Sequence, residues 1–294
     1  MSNGGGRWVT GVPTATLSTS EEPYIAFDIS TVVLYIDYMS IIVKDLAFSY
    51  PKASETGVAT IFHRMNWSMK EDRIVALVGP SGCGKTTFLK ILTGLRAPTA
   101  KKTKILVADL GPAEALAHGA VAFLPQDFMP APWRTTTDNI RFVISLAQPD
   151  CPTPRENADE LLEKMGLHDH GNKYPKQLSG GLKQRLALGM CLAVRPKYLL
   201  LDEPFTSLDA RAKDGMYDLL RAVWCGNRIG EKQSRLRQGR FLRGILFVSH
   251  NSDEVAALAD MVYSFPIKRP VSHLILQSVY SRRNKRKSYG RRGS

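Results

Sequence analysis

A glycine-rich segment, GPSGCGKTT at positions 79–87, has the residue types and the spacing that bind phosphate. It fits the pattern G-x-x-x-x-G-K-[ST] and lies between a predicted strand and a predicted helix, which is the context that this pattern requires. Glycines let backbone N–H groups curl around phosphate oxygens, the lysine reaches the β- and γ-phosphates, and the threonine hydroxyl can ligate Mg²⁺. A turn that merely caps a buried helix is the alternative, and the matched context disfavours it. The predicted nucleotide-binding residues are Gly79, Pro80, Ser81, Gly82, Cys83, Gly84, Lys85, Thr86 and Thr87.

Two acidic residues, Asp202 and Glu203, follow the apolar run 199–201. The run predicts a buried strand. A carboxylate at its end can bind Mg²⁺ directly or through water, and the next carboxylate can polarise an attacking water. On its own, a strand that ends in Asp-Glu often only caps the following turn. Together with an intact phosphate loop, the pair predicts hydrolysis of the bound nucleotide.

A second anion-binding pattern, LSGGLKQR, occupies positions 178–185. A serine and a glycine pair before a predicted helix place free backbone N–H groups at the positive end of that helix. One nucleotide site already has a phosphate loop. The second cradle therefore raises the question of whose phosphate it binds.

The elements that position these residues alternate between apolar strands and amphipathic helices. Apolar runs predict strands at 73–79, 120–126, 197–204 and 244–250, and the alternating run from Met39 to Tyr50 predicts an edge strand. Helical patterns cover 85–95, with Leu95 in the apolar stripe, and also 155–167, 182–195 and the stretch after Asn251. Buried strands that alternate with helices indicate an α/β fold with a parallel core sheet, and no internal repeat is visible.

In this order, the motifs resemble those of an ATP-binding-cassette (ABC) ATPase over residues 39–275. Further positions also match the family. They are an aromatic residue that stacks on adenine, a glutamine that senses Mg²⁺ and the γ-phosphate, a loop residue at the dimer seam, and the switch histidine: Tyr50, Gln126, Asp209 and His250. Each match alone is weak, because a tyrosine can simply pack and a histidine can cap a helix. Their occurrence in family order carries the resemblance.

The resemblance implies an α/β ABC-type P-loop domain, with a mixed core sheet flanked by helices and a helical signature subdomain at about 127–195. It implies hydrolysis of ATP with Mg²⁺ held by Thr86, Gln126 and Asp202. Glu203, His250 and Gln126 would act in catalysis. Two copies would stack head to tail, so that the signature of one copy closes over the ATP of the other. The signature residues in this role are Ser179, Gly180 and Gly181.

The spacing between the two cradles discriminates among branches of this family. Lys85 and Leu178 are 93 positions apart with no heptads between them, which leaves no room for the coiled coil of chromosome- and repair-type members. Ribosome-acting members typically carry two cassettes per chain, and this chain shows one. An ATPase that acts on nucleic acid or ribosomes is therefore the alternative to the preferred interpretation, which is transport.

The segment FLPQDFMPAPWRTTTDNIRF at 123–142 resembles the nitrate/sulfonate/taurine importer ATPases. Its Phe128, Met129, Pro132 and Trp133 would offer an apolar landing to transmembrane permease subunits, and a local cluster under a loop is the alternative. The chain would then be peripheral on the cytoplasmic face of the inner membrane, with a solute-binding protein as an indirect partner. The solute is not determined by this sequence.

Charge divides the chain unevenly. The net charge of +13 comes almost entirely from 225–244, which carries +5, and 281–294, which carries +7. We interpret 225–244 as a basic insertion, 276–294 as a basic tail and 1–38 as a leader or extension. Solvated segments are the simplest interpretation, and contact with anionic lipid or nucleic acid is the alternative. The cysteines, Cys83, Cys151, Cys191 and Cys225, have no paired or metal-binding spacing, which indicates a reducing compartment.

Overall fold

Two β-sheets and seven α-helices form the part of the chain that the computed structural model describes, residues 39–51, 58–150, 152, 154–226 and 242–279. The strands are β1 (Met39–Pro51), β2 (Val58–Lys70), β3 (Arg73–Val78), β4 (Lys104–Val107), β5 (Val121–Leu124), β6 (Tyr198–Asp202), β7 (Gly244–Val248), β8 (Met261–Ser264) and β9 (Ile275–Val279). The helices are α1 (Lys85–Leu92), α2 (Pro112–Ala117), α3 (Thr136–Ala147), α4 (Pro154–Lys164), α5 (Gly180–Ala193), α6 (Ala210–Gly226) and α7 (Ser252–Leu258). Two short 3₁₀ turns lie between α4 and α5, at His168–His170 and Pro175–Gln177.

The core sheet has the strand order β5-β6-β7-β3-β8-β9. The strands from β5 to β8 are parallel, and β9 pairs antiparallel with β8, so the sheet is mixed as expected. Every residue of β6 and β7 is buried, which explains the apolar runs at 199–201 and 245–248. The carboxyl ends of the parallel strands meet at one edge of the sheet.

A second, antiparallel sheet has the order β2-β1-β4. The prediction of an edge strand at the start of the domain was wrong, because β1 pairs with neighbours on both sides: Ile41 lies opposite Met69 in β2 and Val107 in β4. The alternation of β1 reflects one buried face, which includes Val43 and Phe48, and not an open edge. A pattern of burial on one face looks the same in an edge strand and a central strand.

Helix α1 packs in an apolar core that it shares with both sheets. Phe88 and Leu92 are fully buried, as the predicted stripe required. The stripe does not reach Leu95, which is 54% exposed, because the helix ends at Leu92. Gly94 then takes a φ of 72°, and its backbone comes so close to Ala113 that a Cβ would lie 2.5 Å from the Ala113 nitrogen.

Helices α3, α4 and α5 pack on one another within the span predicted for the helical subdomain, 127–195. Helix α6 ends at Gly226 and β7 begins at Gly244, so most of the predicted basic insertion lies outside the described residues. The leader 1–38 and residues 280–294 of the predicted tail also lie outside them. The predicted domain boundary at 275 falls on the first residue of β9. In the described ranges, no helix combines the length and apolarity needed to cross a bilayer.

Candidate nucleotide-hydrolysis site

The phosphate loop connects β3 to α1 at the carboxyl edge of the core sheet. Gly79, Gly82 and Gly84 have φ values of 146°, 75° and 119°. At Gly84, a Cβ would also lie 2.7 Å from Ile61 Cγ2, so only glycine fits this turn without strain. Helix α1 has no side-chain N-cap, which leaves the N–H groups of its first turn available to an anion.

Lys85 crosses the concave side of this loop. Its ammonium donates to the carbonyl oxygens of Gly79 and Pro80 at 2.8 and 2.9 Å, and the side chain is 6% exposed. The positive charge is therefore held inside the loop by the loop's own backbone. Cys83 is buried as well: its thiol packs in the apolar core and lies 3.8 Å from the Lys85 ammonium. A contribution of Cys83 to phosphate binding would have to come from its backbone.

Asp202 is the last residue of β6 and faces the start of α1. Thr86 Oγ1 donates to Asp202 Oδ1 at 3.1 Å. Burial raises the pKa of Asp202, the hydrogen bond from Thr86 lowers it, and the nearby Glu203 raises it. A hydroxyl oxygen beside a carboxylate oxygen is a donor set that suits Mg²⁺, so these two residues fit the metal that the sequence predicts.

Glu203 and His250 come together because β6 and β7 are adjacent and parallel. Asp202 pairs with Val248, so the residues that follow both strands emerge at the same edge. His250 Nδ1 lies 3.5 Å from Glu203 Oε2. Glu203 adopts a left-handed φ of 47°, and the Thr206 hydroxyl donates to its Oε2 at 3.1 Å. The strained backbone and the hydroxyl together fix the direction of the carboxylate.

Tyr50 is tied to the phosphate-loop helix. Its hydroxyl lies 3.1 Å from the Thr87 hydroxyl, and the Arg96 guanidinium lies 5.6 Å from its ring centroid. The ring of Phe48 packs edge-on against it at 4.8 Å. The predicted adenine-stacking residue is thus beside the phosphate loop, and its ring also has packing partners within the chain.

The remaining predicted residues lie on other elements of the domain. Gln126 is exposed two residues beyond the end of β5. Ser179 is the N-cap of α5, where its hydroxyl accepts the Leu182 N–H at 3.4 Å. Asp209 precedes α6, and its carboxylate accepts the Ala212 N–H at 2.8 Å.

The signature and the loop before α6 are neighbours. A Cβ on Gly180 would lie 3.7 Å from the Ser207 carbonyl oxygen, and a Cβ on Gly181 would lie 3.1 Å from Ala212 Cβ. The structure therefore brings Ser179, Gly180, Gly181 and Asp209 to one surface. A second group of predicted residues lies around the phosphate loop, and its members are Lys85, Thr86, Asp202, Glu203 and His250.

Comparisons with known proteins identify the family. Residues 62–206 match the family described as ABC transporter. An ATP-binding protein of Brucella abortus biovar 1 (strain 9-941) is 36% identical over 199 residues, which cover 68% of this chain and 70% of that protein. The chain belongs to the ABC transporter family. The resemblance and the fold class predicted from the motifs are therefore confirmed, and the chain is an ABC-type ATP hydrolase.

Two further similarities concern function and fold. A nitrate import ATP-binding protein of Synechococcus elongatus (strain ATCC 33912 / PCC 7942 / FACHB-805) is 33% identical over 203 residues, which cover 67% of this ABC ATPase and 66% of that protein. Among solved structures, a dimeric ATP-binding cassette bound to ADP and phosphate aligns with a TM-score of 0.65 at 22% identity. The alignment covers 82% of this chain and 99% of the other, and it shows a shared fold.

Some side chains in this ABC ATPase were not found by sequence reasoning. Thr206 binds the predicted catalytic glutamate, and an Arg269 nitrogen lies 3.6 Å from the position that a Cβ on Gly82 would take. Ser249 and Glu254 form a buried hydrogen bond beside His250. No motif marks these residues, and only Arg269 meets a partner that is distant in sequence.

Proposed function

We propose that this ABC ATPase is the ATP-hydrolysing subunit of an importer, and that it couples ATP + H₂O → ADP + phosphate to solute passage through separate transmembrane permease subunits. The observation that carries the hydrolytic part is the joint placement of Lys85, Thr86, Asp202, Glu203 and His250 at one edge of the core sheet. The importer part rests on an exposed apolar surface and on the similarity to a nitrate import ATP-binding protein.

ATP would bind with its phosphates in the 79–87 loop. The uncapped N–H groups of α1 and the buried Lys85 ammonium would receive the β- and γ-phosphate oxygens. Tyr50, which the hydroxyl of Thr87 anchors, would stack on adenine. The glycine at position 84 keeps the backbone close enough for these contacts.

Thr86, Asp202 and Gln126 would hold Mg²⁺. The ion supplies neutralisation of the charge that develops on the β- and γ-phosphates. The support for this site is the 3.1 Å contact between the Thr86 and Asp202 oxygens. The support for Gln126 is that it follows β5, which is the neighbour of β6 in the sheet.

Glu203 would polarise the attacking water, and His250 would contact the γ-phosphate. Both side chains are at the carboxyl edge, and the carboxylate is 21% exposed, so that it is accessible to a water molecule. His250, at 61% exposure, can turn toward a phosphate without breaking a buried packing arrangement. The 3.5 Å separation between the two allows each to orient the other.

Two copies would stack head to tail to complete each site. Ser179, Gly180 and Gly181 of one copy would close over the γ-phosphate of the ATP held by the other, and Asp209 would lie at the seam. The exposure of Ser179 and Asp209 on a common surface supports this arrangement. Loss of the γ-phosphate after hydrolysis would release the partner.

The permease subunits would dock on an apolar surface formed by Met129, Pro132 and Trp133, which we call the docking surface. Met129 is 79% and Trp133 75% exposed, whereas a cluster under a loop would be buried. Asn139 is fully buried and holds this loop: its amide nitrogen donates to the Ala131 carbonyl at 3.1 Å, and its oxygen accepts the Ala131 N–H at 2.8 Å. The loop is thus pre-organised to present its tryptophan. Phe128, which the sequence also predicted here, packs partly against the core.

With such partners, the protein would be peripheral on the cytoplasmic face of the inner membrane. A solute-binding protein would act on the other side and reach this subunit only through the permease. Action on nucleic acid is the less favoured alternative, since the 93 positions between Lys85 and Leu178 carry no heptads for the coiled coil of chromosome- and repair-type members.

The hydrolytic roles are tested with Glu203→Gln. This variant should retain ATP but lower phosphate release by about 100-fold or more, because the water loses its base while the phosphate loop stays intact. Glu163→Gln, an exposed change on α4, is the matched control and should hydrolyse ATP normally. Fast turnover by Glu203→Gln would remove this residue as the base.

The importer role is tested by co-purification with permease subunits encoded beside this chain's gene. Trp133→Asp should abolish co-purification and leave the ATPase activity of the isolated subunit unchanged. Absence of any associated permease would refute the importer role and leave the hydrolytic role intact.

A further inference from the structure

His250 lies in a turn that regular secondary structure does not fix. Strand β7 ends at Val248 and α7 begins at Ser252, and the histidine side chain is 61% exposed. Its Nδ1 nevertheless lies 3.5 Å from Glu203. Some other feature of the structure has to hold the turn in this position.

Ser249, the preceding residue, holds the turn through hydrogen bonds of its N–H group and its hydroxyl, which we call the Ser249 clasp. Its N–H donates to the Leu77 carbonyl at 3.2 Å, which ties the turn to β3, the strand that leads into the phosphate loop. Its hydroxyl oxygen accepts the Asn251 N–H at 2.9 Å. The backbone is therefore bound on both sides of His250.

Glu254 in turn holds Ser249. The Ser249 hydroxyl donates to Glu254 Oε2 at 2.6 Å, and Lys213 of α6 donates to Glu254 Oε1 at 2.9 Å. The glutamate side chain is 5% exposed and the lysine side chain 22%, so the ion pair is largely removed from water. A buried carboxylate requires such partners, and removing one of them leaves a charge uncompensated.

Lys213 also connects this network to the predicted dimer seam. It lies one turn into α6, and its N–H donates to the Asp209 carbonyl at 2.9 Å. The ion pair therefore joins the helix that starts at the seam to the turn that carries His250. A shift of this helix on dimerisation would be transmitted to the histidine through one carboxylate.

We infer that Glu254 and Lys213 are positioning residues for His250 and link its orientation to helix α6. This inference rests on the proposed catalytic role of His250. The pair does not touch the nucleotide, and it acts through the Ser249 clasp.

The first experiment compares kcat and KM for ATP in Glu254→Gln and Lys213→Met. Each should lower kcat by about 10-fold, which is the scale on which partners that orient a reactive group act, with KM changed less than about 2-fold. The matched control is the Lys164–Glu160 pair on α4, which has the same 2.9 Å separation. Lys164→Met and Glu160→Gln should leave both parameters unchanged.

The second experiment separates positioning from mere stabilisation of the fold. In a His250→Ala background, Glu254→Gln should cause no further loss of kcat, because its effect passes through the histidine. An equal loss in both backgrounds, or no loss in either, would overturn the inference. If Glu254→Gln does not fold, as judged by circular dichroism, the cycle is run with Ser249→Ala and rescued with Ser249→Thr, which restores the hydroxyl.

The same cycle distinguishes the two levels of failure. His250→Ala alone should lower kcat by about 100-fold. Full activity of His250→Ala would refute the proposed role of the histidine. A large loss in His250→Ala combined with an additive effect of Glu254→Gln would refute only the positioning role.

Discussion

The two predicted phosphate cradles of this chain, the 79–87 loop before α1 and the 178–181 signature before α5, look alike in sequence but differ in structure. The first has glycines in left-handed conformations, a buried lysine and no side-chain cap on its helix. In the second, Ser179 caps its own helix, and neither glycine has a positive φ. The first cradle brings its own cation, whereas the exposed second cradle offers a hydroxyl and a helix end.

This difference indicates that the two cradles contribute differently to phosphate binding. A lysine buried in a glycine turn can bind phosphate within one chain. A helix N-terminus by itself adds a smaller stabilisation, which matters when a second molecule supplies the rest of the site. We therefore expect changes in the first cradle to be more damaging than changes in the second, and to be damaging for a different reason.

Lys85→Ala should have the largest effect on ATP turnover. Phosphate release should fall by at least about 100-fold, because the β- and γ-phosphates lose a buried cation in a site of low dielectric. The measurement is steady-state phosphate release together with retention of labelled ATP. Lys104→Ala, an exposed change on β4, is the control. Normal turnover by Lys85→Ala would show that the first cradle does not depend on its buried lysine, and the proposed contrast with the second cradle would then be wrong.

Ser179→Arg should also be inactive as a pure protein, because a bulky cation at the signature blocks the partner's site. In a mixture of Lys85→Ala and Ser179→Arg chains, one of the two composite sites of a mixed dimer carries both lesions, and the other carries neither. Partial recovery of phosphate release is therefore expected, provided that one intact site can fire alone.

Size analysis of the same mixture with ATP completes this test. A signature that served its own chain's ATP would give no recovery, since every chain would keep its own defect. Dimers that form and bind ATP without turning over would indicate that both sites have to fire together. A mixture in which ATP never promotes dimers would contradict the shared site itself.

Gly84→Ala should lower stability, whereas Gly180→Ala should not. Gly84→Ala combines a left-handed φ with a 2.7 Å clash against Ile61, so it should lower the free energy of unfolding by about 2 kcal/mol or more. Gly180 is the first residue of α5 and has room for a methyl group, so Gly180→Ala should be neutral or stabilising by up to about 0.5 kcal/mol. Denaturant unfolding of the two variants checks this, and equal losses would show that the two turns are under the same constraint.

Asp202→Asn should have the smallest effect on stability, and in the favourable direction. The pKa of Asp202 is raised in the folded protein, mainly by burial, so the folded state binds a proton more readily than the unfolded chain. Stability from this group is therefore present below the ordinary aspartate pKa and is lost as the pH rises through the raised value.

The asparagine removes this loss, and Asp202→Asn should unfold at a slightly higher temperature than the wild type at neutral pH. It should also show a weaker decrease of stability with rising pH in the acidic range. ATP hydrolysis should still be lost, because the amide is a poor Mg²⁺ ligand. A lower unfolding temperature at neutral pH would mean that the ionised carboxylate stabilises the first cradle.

Much of the fold could be predicted where local pattern and tertiary role coincide. The strands β3, β6 and β7 are apolar in their central residues because these residues are buried on both faces, and the helices α1, α4 and α5 were found within a few residues of their ends. The predicted end of α1 and the edge position of β1 were wrong. Where a helix stops and which strands flank another strand depend on contacts with segments distant in sequence, such as Ala113 and β2.

The sequence by itself determined the glycine turn followed by lysine and threonine, a pattern that suits the local geometry of anion binding. It likewise determined the acids at the end of a buried strand. Only the tertiary structure decided that Thr86 meets Asp202 and that His250 reaches Glu203, because these contacts depend on the strand order β6-β7-β3. The Ser249–Glu254–Lys213 network has the same origin: its members lie on separate elements, and only their packing removes them from water and makes the pairing necessary.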